Sequence, residues 1–250
     1  MKFKIYIEYN GTNYAGWQKQ KNAKTVQGTL INCIETIFSK AKGSNKFIDF
    51  QGAGRTDRGV HALEQIAHLE CETMLAPEIL KLKLNDCLPS DINILEIEKT
   101  HNRFHARHSA ISRQYLYIIS KRRNAFEKRY IWWIKDNLDV SKMKEASLLL
   151  KGMHDFSSFS DKIDEEKSTI VDLEDINLVE SKDKILIRIK ASHFLWKMVR
   201  RIVGVLVEVG RKEISKETVK SMLEKYTDEN FVHTAPPSGL FLEKIYYSDK

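Results

Sequence analysis

The sequence predicts an α+β protein of two similarly built halves, residues 1–105 and 106–250, sharing one sheet and meeting near residues 100–110. Three observations carry this. A strand–helix–strand–strand succession occurs in each half, no long linker or low-complexity stretch separates them, and 250 residues at 42% hydrophobic content are ample to bury a core. A cleft between the halves is the natural place for a functional site.

The elements follow in order. Phe3, Ile5 and Ile7 alternate with Lys2, Lys4 and Glu8, the period of a strand buried on one face. The loop YNGTNYAGWQKQ comes next, and Thr25 then caps a helix whose Val26, Leu30, Cys33, Ile34, Ile37, Phe38 and Ala41 recur at helical spacing until Gly43. A short strand at Phe47–Phe50 enters the glycine-rich turn GAGRTDRG, and Gln65–Cys71 reads as its return strand. Pro77 opens a helix through about Leu84, and Ile92, Ile94 and Ile97 mark another strand. In the second half, residues 110–119 form a long strand that sets Arg113, Tyr115 and Tyr117 on one face. A helix over 141–151, strands over 170–179 and 184–191, a helix over 194–209 that is apolar nearly all round, a helix over 215–225 and an extended tail over 240–247 complete the chain.

Composition excludes several classes. Eleven Gly and four Pro rule out collagen-like and linker-like chains, and no apolar run approaches the roughly 20 residues of a membrane span. The N-terminus reads as an alternating strand rather than a signal peptide. Cys33, Cys71 and Cys87 are odd in number, widely spaced and without a CxxC, which predicts no disulfide framework and a reducing cytoplasmic setting. The chain carries a net charge of +7, and residues 103–129 alone hold eight cations against one anion. Such a stripe is either a solvated charged face or the footprint of a polyanion binder.

Three clusters are candidates for chemistry. In Gly52–Gly59, one aspartate, Asp57, stands between Arg55 and Arg58. The segment lacks both the GxGxxG spacing and the GK[ST] of nucleotide loops, so Asp57 is either a turn aspartate bonding its own backbone or a functional carboxylate. Arg200 and Arg201 interrupt the apolar 194–209 run. They lie about 100° apart on a helix, so the choice is between two stems reaching outward and at least one cation meeting a carboxylate. Tyr115 and Tyr117 beside Arg113 suit stacking on an unpaired base, or core packing with satisfied hydroxyls. His61, His68 and Cys71 match no zinc spacing, and no GxSxG elbow is present.

Six segments in order, YNGTNYAGWQKQ, AGRTDRGVHA, FHARHSAISRQYLY, GMHDFSSF, FLWKMVRRIVGVLVEVG and APPSGL, make the chain resemble the tRNA pseudouridine synthase A (TruA) family from Tyr9 to about Leu242. The resemblance implies two ferredoxin-like halves sharing a central, mostly antiparallel sheet flanked by helices, working as a homodimer. It implies isomerisation of uridine to pseudouridine at positions 38, 39 and 40 of the tRNA anticodon arm, with no metal, nucleotide or other cofactor. By the same resemblance Asp57 is the catalytic aspartate, Arg55 helps extrude the target base and Tyr115 packs against it. Arg200 pairs with the aspartate and Leu240 forms an apolar wall. The sequence departs from the family's usual residues at Asn10, Arg58 and Trp196-Lys197, and in the acidic loop Asp161–Ser168.

The chemistry fits these residues. A carboxylate working under an extruded base must stay ionised, which a guanidinium in contact favours, so an Asp57–Arg200 pair is expected. Arg58, Arg107, Arg113, Lys121, Arg122 and Arg123 are the expected phosphate contacts. A non-catalytic tRNA-binding factor and a synthase acting on another RNA are the alternatives.

Overall fold

The computed structural model describes residues 1–160, 168–226 and 234–248, and the chain divides into two compact units, Met1–Ile111 with Leu242–Lys250, and Ser112–Phe241. In the first unit, β1 (Lys2–Tyr9) buries every second residue, Phe3, Ile5, Ile7 and Tyr9. Each such side chain withdrawn from water stabilises the fold by roughly 1.5–3 kcal/mol before entropy is counted. The helix α1 (Val26–Lys40) starts where expected, because the Thr25 hydroxyl accepts the Gly28 N–H at 3.2 Å. After it come β2 (Lys46–Gly52), β3 (His61–Glu72), α2 (Pro77–Cys87) and β4 (Ile92–Thr100), with Pro77 opening α2 as predicted. Strand β1 pairs antiparallel with β3 on one edge and β4 on the other. Ala67 of β3 faces both Ile5 of β1 and Gly52 of β2, so the order is β4-β1-β3-β2, antiparallel throughout. Helix α1 packs beside β2 and α2, and α2 lies against β4.

The cysteine reading needs correction. Cys33 on α1 and Cys87, the last residue of α2, form a disulfide with Cα atoms 5.9 Å apart. They are 54 residues apart in sequence, and only the packing of the two helices brings them together. The cysteine count therefore does not argue for a reducing compartment. Cys71 is unpaired and fully buried, and burial pushes its thiol up to about 11.

The second unit contains β5 (Ala110–Ser120), β6 (Trp132–Trp133), α3 (Val140–Leu148), β7 (Gly152–Asp155), β8 (Ile170–Leu173), β9 (Asp175–Glu180), β10 (Lys184–Ala191), α4 (Met198–Arg211) and α5 (Lys216–Glu224). The final strand, β11 (Leu240–Tyr247), belongs to the first unit from Leu242 onward. Strand β10 pairs antiparallel with β5 and β9, while β6 runs parallel to β5. Helix α3 packs on α4, α5 and β9.

Two expected elements change. The single strand expected over 170–179 is two strands in two sheets: β8 pairs with β7, β9 with β10, and the break falls at Glu174, which is bound to Lys190 at 2.8 Å. The long helix begins at Met198 rather than Phe194, because Lys197 sits in the left-handed region (φ 60°) and residues 195–198 form a turn in which Met198 N–H donates to Leu195 O at 3.2 Å. From Ile202 to Gly210 every residue of α4 is buried, in keeping with its apolar character. No helix among the described residues is long and apolar enough to cross a membrane.

Candidate active site

In the first unit, the two glycine-rich segments form one structure. The turn after β2 is held below by Ala53 N–H donating to Ile66 O (2.7 Å) and by the buried Gln65, whose Nε2 donates to Gly54 O (3.0 Å). It is held above by the loop after β1. Trp17 N–H donates to Thr56 O (3.0 Å), Gly59 N–H to Tyr14 O (3.3 Å), and the Tyr9 and Thr56 hydroxyls share a buried hydrogen bond of 2.8 Å. His61, which opens β3, accepts the Gly11 N–H at Nδ1 (3.1 Å). Two contacts are too close for any side chain. A Cβ on Gly11 would overlap the Val60 carbonyl oxygen, and one on Gly16, at φ +103°, would lie 2.6 Å from Thr56 O. Behind them Trp17 stacks on Phe50 with ring centroids 6.2 Å apart and leans on Tyr9 at 5.9 Å.

This clamp fixes Thr56 and leaves its neighbours outward. Asp57 is half-buried, its own carbonyl accepting the Val60 N–H at 3.1 Å, and Arg55 and Arg58 are exposed on either side. A carboxylate on a braced turn flanked by two cations can meet an anionic ligand without first paying much of an ordering entropy. The sequence singled out Asp57 and its arginines but missed Thr56, Tyr9, Gln65 and His61, the residues that hold them. Their signal is present as polar residues next to glycines, which reads equally well as ordinary loop chemistry.

In the second unit, the two tyrosines of β5 part company. Tyr117 is a core residue: fully buried, its hydroxyl donates to Pro236 O at 2.8 Å, and burial drives its phenol far above the ordinary range. Tyr115 is half-buried, its ring meeting Phe194 edge to face at 5.0 Å. That contact explains the apolar Phe194 in the segment before α4. Next to it, Arg113 Nη1 donates to Ser192 O (2.9 Å), tying the start of β5 to the segment that follows β10.

Arg200 is half-buried and grips a backbone carbonyl: Nε donates to Ala235 O at 2.7 Å while Ala235 N–H donates back to Arg200 O at 3.1 Å. Together with Tyr117 it pins the segment leading to the buried Leu240, so Tyr117, Arg200 and Leu240 are brought together around residues 235–240.

The basic stripe is divided between the two units. Lys121, Arg122 and Arg123 lie beyond the far end of β5, whose last residue, Ser120, is about 17 Å along the strand from Tyr115 at its usual rise per residue. There Lys121 bonds Glu180 (2.8 Å) and Arg122 bonds Asp183 (3.0 Å), both exposed pairs. Arg107 belongs to the first unit and is exposed, its N–H donating to His105 Nδ1 at 3.2 Å. The histidines have structural work: His68 accepts the Ala106 N–H at Nδ1 (3.1 Å), so its Nε2 carries the proton toward Asp49 Oδ2 (3.1 Å).

Comparison with known proteins places these segments in one lineage. A family profile described as tRNA pseudouridine synthase matches residues 5–109 and 146–248. The tRNA pseudouridine synthase A of Thermoanaerobacter sp. strain X514 is 40% identical over 245 residues, covering 97% of this chain and 98% of that protein. Proteins of the same name from Ehrlichia chaffeensis (40% identical) and Thermodesulfovibrio yellowstonii (36%) each match 99% of this chain over their whole length.

Proposed function

Since the chain belongs to the tRNA pseudouridine synthase family, a family of isomerases, we propose that it converts uridine to pseudouridine at positions 38, 39 and 40 of the tRNA anticodon arm, with Asp57 as the catalytic carboxylate. The observation that carries this reading is the braced turn, which offers a half-buried aspartate between two exposed arginines.

The reaction breaks the N1–C1′ bond, turns the uracil and forms C5–C1′. The C5 proton leaves and N1 gains one, and water is neither consumed nor released. What the protein must supply is a carboxylate to attack or to stabilise the separated ring, and groups that hold the nucleotide out of its stack, at a cost of a few kcal/mol. Asp57 supplies the first. Arg55, exposed on the same turn, takes the space the base vacates, and Arg58 grips a neighbouring phosphate. Tyr115 offers a π-face already steadied by Phe194, and Leu240 an apolar wall. Arg200 is assigned to keep the carboxylate ionised; with Nε engaged by Ala235 O it keeps a fixed orientation, which suits that role. Arg107, Arg113, Lys121, Arg122 and Arg123 are assigned to phosphates along the arm.

The finer fold reading is likewise proposed. The first unit's β-α-β-β-α-β succession with order β4-β1-β3-β2 supports a ferredoxin-like half. The second unit's β5-β10-β9 order, with α3 and α4 in the connections, supports a second such half. A homodimer completes the proposal.

Incubating an unmodified tRNA transcript with the protein and mapping pseudouridine by carbodiimide-blocked primer extension tests the assignment. Stops at 38–40 support it. Stops elsewhere in the tRNA move the target, and their absence in tRNA alongside their presence in another RNA would replace the substrate.

A further inference from the structure

The segment after β5 carries a feature that the isomerisation does not use. Phe126 is 93% exposed, and Trp133 (44%) and Tyr130 (37%) follow within eight residues. Scattered exposed apolar residues are normal, but an almost fully solvated phenylalanine at a loop tip is wasteful unless something covers it.

The tip is built, not loose. Asn124 Oδ1 accepts the N–H groups of Phe126 (2.9 Å) and Glu127 (3.1 Å), and its Nδ2 donates to Glu127 Oε2 (2.6 Å). Glu127 Oε1 is bound by Lys184 Nζ at 2.7 Å, and its carbonyl accepts the Tyr130 N–H at 2.8 Å. At the other side of the loop, Ser120 Oγ donates to Arg122 O (2.7 Å) and Lys121 N–H to Asp183 O (2.9 Å). The ring is therefore held outward by a loop anchored to the β9–β10 turn.

Its surroundings choose the occupant. Residues 121–135 contain six cations against the single anion Glu127. The acids that meet Lys121 and Arg122 do so in exposed pairs, which are weak and readily exchanged for phosphate. A second copy docking this patch on its own counterpart would bring cations against cations, whereas a single-stranded nucleic acid presents a π-face to the ring and phosphates to the charges.

We infer that Phe126 is a docking point for an unpaired nucleobase of the tRNA, stacking on it while Arg122, Arg123 and Lys128 hold the adjoining phosphates. It rests on the tRNA substrate proposed above. Because the patch lies past the end of β5, about 17 Å along the strand from Tyr115, the base it takes is several nucleotides from the one isomerised.

The test compares the wild-type protein with Phe126→Ala and Phe126→Trp, binding a fluorescent unmodified tRNA transcript and a blunt RNA duplex of equal length, with sedimentation velocity on each protein. Loss of a base stack predicts that Phe126→Ala binds the tRNA between about five-fold and about a hundred-fold more weakly. Phe126→Trp retains the affinity, the duplex does not distinguish the proteins, and the loss appears in Kd and KM rather than in the rate at saturating tRNA. Unchanged tRNA affinity in Phe126→Ala overturns the inference. So does a change in oligomeric state, which would make the tip a contact between copies. If the wild-type protein made no pseudouridine in tRNA while Phe126→Ala still weakened its binding, the proposed activity would fall and the docking point would stand.

Discussion

Replacing Gly16 by Ala probes how firmly the loop after β1 holds the Asp57 turn. Gly16 has φ +103°, and its new Cβ would sit 2.6 Å from Thr56 O, 3.2 Å from the Asp57 carbonyl carbon and 3.3 Å from Arg58 N. A side chain in that backbone region costs about 1–3 kcal/mol. Forcing a methyl against backbone that cannot yield costs about another 1–3 kcal/mol, and Thr56 is held on both sides by Trp17 N–H and the Tyr9 hydroxyl. The sum, about 2–6 kcal/mol, is a large share of the 5–15 kcal/mol that stabilises an ordinary protein. Gly43 supplies the control. It has φ +86° but nothing within 4 Å of a Cβ, so Gly43→Ala carries only the conformational cost. Urea unfolding followed by tryptophan fluorescence should show Gly16→Ala losing about 1–3 kcal/mol more than Gly43→Ala. Relief of the overlap displaces the turn, so single-turnover pseudouridine formation should fall about ten-fold or more in Gly16→Ala and stay unchanged in Gly43→Ala. Equal stability losses with unimpaired rates in both would refute the coupling.

Three further outcomes follow from the same structure. Tyr117→Phe leaves the Pro236 carbonyl without its buried donor and should lower stability by about 1–3 kcal/mol, seen as a Tm lower by several degrees. Thiol titration in denaturant without reductant should find one reactive cysteine per chain, Cys71, and three after reduction; three before reduction would contradict the Cys33–Cys87 pairing. Closing a 54-residue separation, that bond should contribute about 4 kcal/mol by chain entropy. His68 is held below its ordinary value, chiefly by burial, with Asp49 opposing. The unfolded chain therefore binds its proton first, so the His68 contribution is intact above about pH 6.5 and fades as pH falls further. His68→Gln should flatten that part of the stability–pH curve.

How much of this was legible in the sequence depended on whether a pattern was local. The alternation of Phe3, Ile5 and Ile7, the Thr25 cap and Pro77 are local signals, and each marks the element it should. The start of α4 was not, because Phe194 and Leu195 continue its apolar run while Phe194 is apolar for another reason, its contact with Tyr115. Only a left-handed Lys197, which no helical periodicity reveals, separates the turn from the helix. The split of residues 170–179 and the Cys33–Cys87 bond were hidden for a related reason, since both are decided by which distant segment lies alongside. Asp57 stood out by its glycines and arginines. The residues that brace it did not, because a hydrogen bond between Tyr9 and Thr56 leaves no mark on either neighbourhood in the sequence.

The most direct test of Asp57 is tritium release from tRNA carrying [5-³H]uridine, measured for the wild-type protein and Asp57→Asn alongside tRNA binding. The substitution keeps the side chain's size and removes its charge. Wild-type protein should release tritium from the anticodon arm, while Asp57→Asn should release none and still bind tRNA within a few-fold. Release at an undiminished rate by Asp57→Asn would show that this carboxylate is not the reacting group.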